Sequence, residues 1–180
     1  MVYCFLADGF EETEAIAPVD MLRRAGVTVK TVGIGKSVIT GSHGISVICD
    51  LTDSEMRLTD ELDGVILPGG MPGTLNLDAS QAVHSAVDFA VSHQKLVCAI
   101  CAAPSILGRK GLLSGKKAIA FPGFEKELEG AIISKDPVVK DGVFITAKGA
   151  GVAVDFGLEI VAALVSRAKS DEIRSSIQCR

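Results

Sequence analysis

Tryptophan is absent from this chain and tyrosine occurs once. A surface that stacks nucleic-acid bases needs several such rings, which argues against single-stranded nucleic acid as a partner. There is also no basic patch. Charges of both signs are spread along the chain, the formal net charge is −4, and no aromatic–basic interleaving occurs, so no nucleic-acid partner is expected. No apolar run approaches the ~20 residues of a membrane span, and no membrane partner is expected either. Val2-Tyr3-Cys4-Phe5-Leu6-Ala7 meets Asp8 at once and has no basic leader, so it does not read as a signal peptide. The five cysteines, Cys4, Cys49, Cys98, Cys101 and Cys179, are odd in number and scattered. That fits a reducing cytosol better than a disulfide framework, and a cytoplasmic location is expected. No second Cys/His pair is spaced to complete a zinc site around Cys98 and Cys101, so no metal is expected. Internal repeats, low-complexity segments and linkers are absent. Residues 1–180 therefore read as a single domain, and a chain that is 48% hydrophobic has enough apolar content for a sizeable core.

What is present is an alternation of strands and helices. Residues 2–7 read as a buried first strand, and 11–25 as an amphipathic helix through Ile16, Val19, Leu22 and Ala25, stopped by Gly26. Residues 27–34 read as a second strand. Residues 37–39 and 45–49 read as short strands around the turn Gly41-Ser42-His43-Gly44. Residues 51–62 have weak helical character. Residues 64–67 form an apolar strand ending at Pro68-Gly69-Gly70, and 81–92 a helix through Val83, Ala86, Val87 and Ala90. A strand at 118–121, a stretch at 122–137 that is irregular or forms a charged helical turn, a hairpin at 138–146, a helix at 152–165 and a tail helix at 169–177 complete the pattern. This order implies an α/β fold with a mostly parallel sheet covered on both faces, its site beyond the carboxyl ends of the strands.

The richest strand end is Leu96-Val-Cys-Ala-Ile-Cys101-Ala-Ala-Pro104. An apolar run long enough for a buried strand gives way to a proline where a first helical turn would begin. Cys101 falls on the sharp bend between them, flanked by Ala99 and Ala103. That is the pattern of a nucleophile elbow, whose strained turn needs small neighbours. The following helix directs free N–H groups and its positive end at the thiol, which is expected to ionise more easily than in water. A buried structural cysteine is the bland alternative, and the elbow pattern favours a reactive thiol. Cys98 and Cys101 lie three strand residues apart, roughly 10 Å, too far for a disulfide, whose Cα atoms lie within about 7 Å. Cys98 therefore reads as a core thiol.

Three other strand ends carry chemistry. After the first strand, one of Glu11, Glu12 and Glu14 can turn inward over the thiol, while a solvated acidic helix start suits Glu11 and Glu12 best. A carboxyl beside a thiolate would have its pKa raised, and could then hold a proton and act as acid or base. Pro68-Gly69-Gly70-Met71-Pro72-Gly73 exposes backbone N–H groups. Those of Gly70 and Ala102 can converge as an oxyanion hole, although an ordinary turn or a phosphate nest fits as well. No Lys-Ser/Thr follows to support a P-loop. Thr146 to Gly151 either lines the pocket or simply loosens the start of the helix at 152. His84 and His93 read as solvent-facing, and His43 can reach Cys101 only if it folds inward.

Taken together, Gly9-Phe10-Glu11-Glu12-Thr13-Glu14, Leu67-Pro68-Gly69-Gly70, Ala99-Ile100-Cys101-Ala102-Ala103-Pro104, Lys148-Gly149-Ala150-Gly151 and Asp155-Phe156-Gly157 resemble the ThiJ/PfpI superfamily, in its parkinsonism-associated branch. The resemblance covers nearly the whole chain. It implies a flavodoxin-like three-layer sandwich that forms a homodimer and needs no organic cofactor or metal. It also implies Cys101 as nucleophile, Glu14 as a protonated general acid/base, Gly70 and Ala102 as backbone donors, and His43, Gly69 and Gly149 about the pocket. The activity it implies is glyoxalase or deglycase chemistry on a small reactive carbonyl, methylglyoxal to lactate, with protection against oxidative and carbonyl stress. A redox-sensing stress protein or chaperone that uses oxidation of Cys101 is the alternative. The peptidase branch carries a histidine where this chain has Ala102, which argues against proteolysis. A histidine found in some relatives after the elbow helix has no counterpart in Ala120-Phe121-Pro122-Gly123.

Overall fold

The computed structural model describes residues 1–179. In its first half, β1 (Val2–Leu6) leads to α1 (Glu12–Arg24) and β2 (Val29–Gly33). A hairpin of β3 (Val38–Thr40) and β4 (Ser46–Ile48) follows, then β5 (Leu51–Thr52) and β6 (Gly64–Leu67). The second half runs α2 (Gly73–Asp78), α3 (Gln81–Ser92), β7 (Leu96–Ile100), α4 (Pro104–Arg109), β8 (Lys117–Ala118), β9 (Ile132–Ile133), β10 (Val138–Asp141), β11 (Phe144–Ala147), α5 (Ala153–Leu164) and α6 (Arg167–Ser176). Seven strands make one sheet in the order β10-β11-β7-β6-β1-β2-β5. All neighbours are parallel except β10 and β11, which form the expected hairpin with Val139 opposite Thr146.

Helices cover both faces because the central strands are apolar on both. In β1, Val2, Cys4 and Leu6 point into one core with α1, α5 and α6. Tyr3 and Phe5, with Ala7 just beyond, point into the other with α2, α3 and α4. This is the period-2 alternation of a strand buried on both sides. The α1–α5 contact depends on Gly157. A Cβ there would stand 2.8 Å from Pro18 Cα and 3.0 Å from Met21 Cγ, so any side chain would push the helices apart. The chain is a single α/β domain, a flavodoxin-like three-layer sandwich.

Two local expectations are corrected, and one helix is added. The stretch at 51–62 is not helical. It begins with β5, which adds to the sheet edge by pairing Leu51 with Val32 and Thr52 with Gly33, so tertiary pairing overrides a weak local preference. The strand at 118–121 stops at Ala118, because the backbone beyond it bonds to the site: the Ile119 N–H donates to Thr146 Oγ1 and the Phe121 N–H to the Cys101 carbonyl. The turn at 68–73 runs straight into α2, one short helix with no side-chain cap at its start.

The parallel strands bring the carboxyl ends of β1, β6, β7 and β11 to one edge of the sheet. The chain leaves β1 toward β2 on one side and β6 on the other, so the switch point lies between β1 and β6.

Candidate active site

The turn after β7 is an elbow. Cys101 has φ +65°, the left-handed region that side chains other than glycine seldom enter. Such a residue costs on the order of 1–3 kcal/mol and persists only where its surroundings hold it. Here the Cys101 N–H donates to the Ala147 carbonyl at 2.9 Å and its carbonyl accepts from the Phe121 N–H at 2.7 Å. Ser105 Oγ donates to the Ala102 carbonyl at 2.7 Å and steadies the next peptide. Ala99 and Ala103 are fully buried, as the elbow requires, and Pro104 starts α4. Cys101 itself is half-buried, while Cys98 is buried and pushed up by desolvation. No disulfide joins the described cysteines.

Glu14 reaches this bend from the first turn of α1. Glu11 caps that helix, its side chain accepting the Glu14 N–H at 2.7 Å. The Glu14 side chain is 1% exposed. Its Oε2 accepts the Gly69 N–H at 2.9 Å, and its Oε1 is buried with no hydrogen-bond partner. Gly69 is the point where everything meets. A Cβ there would lie 2.6 Å from Glu14 Oε2, 2.7 Å from Cys101 Cβ and 3.1 Å from the Ala102 nitrogen. Gly70, at φ +91°, is equally confined, since a Cβ would stand 2.3 Å from the Glu11 nitrogen. The carboxyl, the thiol and the two glycines thus form one cluster.

Burial raises the Glu14 carboxyl to about 7, against the pull of Cys101 and of the Gly69 and Ala150 backbone. Burial, and then the charge of Glu14, push the Cys101 thiol up to about 12, while the Ala102 and Gly70 N–H groups act the other way. The sequence leads one to expect a thiol eased toward ionisation by a helix end. The short α4 does not supply enough to offset desolvation and a facing carboxylate.

These residues stand within a chain whose positions 1–163 match the family described as DJ-1/PfpI. The chain belongs to the DJ-1/PfpI family. Protein dj-1beta of Drosophila melanogaster is 34% identical over 175 residues, covering 96% of this chain and 93% of that protein. A Pyrococcus abyssi protein named a deglycase is 34% identical over 148 residues, 81% of this chain and 87% of the other. Among solved structures, the C103A mutant of a Salmonella typhimurium DJ-1 superfamily protein superposes with a TM-score of 0.92 at 36% identity, over 98% of this chain and 97% of that one. Oxidized Toxoplasma gondii DJ-1 gives 0.93 at 29% identity, over 98% and 97%.

Against this DJ-1/PfpI frame, three of the expected placements change. Glu12 is not a solvated acid: it is 7% exposed and accepts from the His43 N–H at 2.8 Å and the Ile45 N–H at 3.3 Å. Burial pushes its carboxyl up, but those bonds and the His43 ring outweigh it and hold it at about 2. His43 does not fold inward. Its Nδ1 lies 2.9 Å from Glu12 Oε2 and its side chain is 70% exposed, so it clasps the β3–β4 hairpin to α1 and forms no dyad with Cys101. Gly41 permits the clasp, since a Cβ there would be 2.3 Å from the Glu12 carboxyl. Glu11, Glu12 and His43 could bring three ligand atoms within 4.8 Å of one another. Their oxygens already serve the cap of α1 and the hairpin. His84 is half-buried against the Asp78 carbonyl, contrary to expectation, whereas His93 is exposed and stacks on Phe89 at 3.9 Å.

The sequence missed Phe121. Its backbone N–H locks the elbow, and its ring borders a cavity of about 350 Å³ together with Pro122 and Lys148 to Val152. Gly149 belongs to this wall as expected. A Cβ on it would sit 3.9 Å from Glu14 Oε1 and 3.3 Å from the Phe121 ring. No local pattern marks Phe121, because the elbow it serves is 20 residues earlier in the chain.

Proposed function

We propose that this protein is a cysteine-dependent glyoxalase or deglycase-type enzyme that converts 2-oxoaldehydes such as methylglyoxal to 2-hydroxy acids without a cofactor. The observation that carries the reading is the buried, partnerless Glu14 Oε1 beside a half-exposed sulfur on a strained bend. A buried carboxylate oxygen with no donor is costly when charged. The sulfur is less buried and is faced by two N–H groups. With the Glu14 carboxyl at about 7 and the Cys101 thiol at about 12, the singly protonated pair carries its charge on Glu14 and its proton on the sulfur, so Glu14 is placed to take that proton as the sulfur attacks. The Pyrococcus relative named a deglycase supports the same class.

The steps follow from those positions. The Cys101 thiolate adds to the aldehyde carbon, and the carbonyl oxygen takes a proton from Glu14 to give a hemithioacetal. The Glu14 carboxylate then removes the hydrogen on that carbon as a proton, leaving an enediolate with its charge on the former ketone oxygen. Glu14 returns the proton to the second carbon while the hydroxyl proton of the first carbon passes to the neighbouring oxygen, leaving a 2-hydroxy thioester. Water hydrolyses the thioester, releasing the 2-hydroxy acid and the thiol. One carbon is oxidised and its neighbour reduced, so no outside oxidant or reductant is needed. The Gly70 and Ala102 N–H groups stabilise the developing oxyanion.

The test is lactate formation from methylglyoxal by the purified protein, followed across pH. The pair titrates in two coupled steps, near 7 and near 12. Below the first, both protons are bound and Glu14 cannot take the thiol proton. Above it Glu14 is free to act as base. kcat/KM is expected to rise about tenfold per pH unit below about 7 and to level off above it. Absence of lactate, or a kcat/KM flat across pH 7, would overturn the reading.

A second reading is a redox sensor, favoured by a half-exposed Cys101 among buried thiols and by the oxidized state of the Toxoplasma relative. Mild peroxide is then expected to add two oxygens to Cys101 and none to Cys98, read by peptide mass spectrometry. Equal oxidation of the two would dismiss it. In either role we infer a cytoplasmic homodimer. Five cysteines without a disulfide among the described residues support a reducing compartment. No described helix is long and apolar enough to cross a membrane. The exposed Ile16, Val38, Ile45 and Ile48, on α1 and the β3–β4 hairpin, support a dimer face there.

A further inference from the structure

We propose that the cavity beside the elbow receives an apolar, preferably aromatic, substituent of the carbonyl substrate, and that Phe121 sets this preference. The proposal rests on the Cys101–Glu14 reading above and names the substrate within it.

Three observations carry it. The first is position. One wall is Phe121, tied through its N–H to the Cys101 carbonyl at 2.7 Å. The opposite wall is Gly149, close enough to Glu14 that a Cβ on it would lie 3.9 Å from Oε1. A carbonyl held between sulfur and carboxyl therefore has its substituent directed at this space. The second is chemistry. Phe121, Pro122, Val152 and the glycines Gly149 and Gly151 supply apolar surface, and no acidic residue lines the cavity. Its one charged lining residue, Lys148, is exposed. The third is size. At about 350 Å³ the cavity falls in the range of small-molecule sites, about 300–1,000 Å³. A methyl group leaves most of it empty, whereas a ring would fill it and meet another ring.

Phe121 itself fits this role. It is the one exposed phenylalanine among the described residues, at 46%, and its backbone is fixed by the elbow. A rigid ring left open at the mouth of a site offers a face or an edge to an aromatic partner. Nothing in the fold needs it exposed. The other phenylalanines are buried or half-buried in the two cores.

The experiment compares phenylglyoxal with methylglyoxal in the wild type, Phe121→Ala and Gly151→Leu. Gly151 lines the cavity and a Cβ on it meets nothing within 4 Å, so leucine is accommodated and adds bulk at that wall. The wild type is expected to favour phenylglyoxal at least tenfold in kcat/KM, mostly through KM, as a hydrophobic pocket discriminates. Each variant should lower phenylglyoxal kcat/KM at least tenfold more than that of methylglyoxal. Equal wild-type values, or variants that move both substrates alike, would overturn the proposal. If neither aldehyde turns over, the catalytic reading fails and the cavity is judged by binding alone. By NMR titration, mandelate should then bind at least tenfold tighter than lactate, with that difference lost in Gly151→Leu. Indifference to the ring would overturn the cavity assignment independently.

Discussion

Glu14→Gln is expected to lower methylglyoxal turnover by about 100- to 10,000-fold, the usual worth of a positioned acid–base group, while Cys101 alkylation at pH 8 stays within about threefold of wild type. Glutamine keeps the shape of the side chain. Its carbonyl oxygen can still accept the Gly69 N–H, and it lacks the charge that pushes the Cys101 thiol up. What it cannot do is take a proton from one carbon and return it to the next. The two assays therefore separate activation of the thiol from transfer of the proton. Cys101→Ser serves as the reference in which both are lost. Parallel loss of alkylation and turnover in Glu14→Gln would mean that Glu14 only tunes the sulfur. An unchanged rate would mean that some other group moves the proton.

How far the fold was readable depends on how local its causes are. The elbow is written in a few consecutive residues. An apolar run is followed by a bend with alanines on either side and a proline at the first helical position, and each feature acts within one turn of chain. The double-sided burial of β1 and β7 is equally local, because unbroken apolar strands imply cover on both faces. β5 and α2 were not readable in this way. One is two residues long and exists because β2 offers an edge. The other is a six-residue helix that opens straight from the Gly-rich turn.

The site divides along the same line. Glu14 and Gly69–Gly70 were legible as strand-end chemistry, since a parallel sheet gathers those ends together. The partners of Glu12 lie 31 to 33 residues away, and nothing near Glu12 distinguishes it from a solvated helix start. Burial was the other blind spot. The helix end beside Cys101 can be read from sequence, but the desolvation that raises both Glu14 and Cys101 belongs to the packed structure. The sign of the expected effect on the isolated thiol was thereby reversed. The pair gains a nucleophile only when the charged Glu14 takes the thiol proton.

Gly69→Ala tests that cluster at its centre, and about a hundredfold loss of turnover is expected with a comparatively small loss of stability. The added methyl would lie 2.6 Å from Glu14 Oε2, 2.7 Å from Cys101 Cβ and 3.1 Å from the Ala102 nitrogen. None of the three can move freely. The carboxyl is buried and bonded to the Gly69 N–H, and Cys101 and Ala102 belong to a bend held by hydrogen bonds from both sides. Relief requires a shift of several tenths of an ångström in the carboxyl, the elbow or both. Displacement of about 1 Å in a reacting group costs about 100-fold in rate, whereas an overpacked methyl costs typically 1–3 kcal/mol in stability. Urea unfolding and lactate production, measured on the same preparation, read the two effects separately. Turnover within threefold of wild type would show that carboxyl and thiol need not approach each other as closely as Gly69 allows, and the proton-sharing pair at the heart of the mechanism would have to be abandoned.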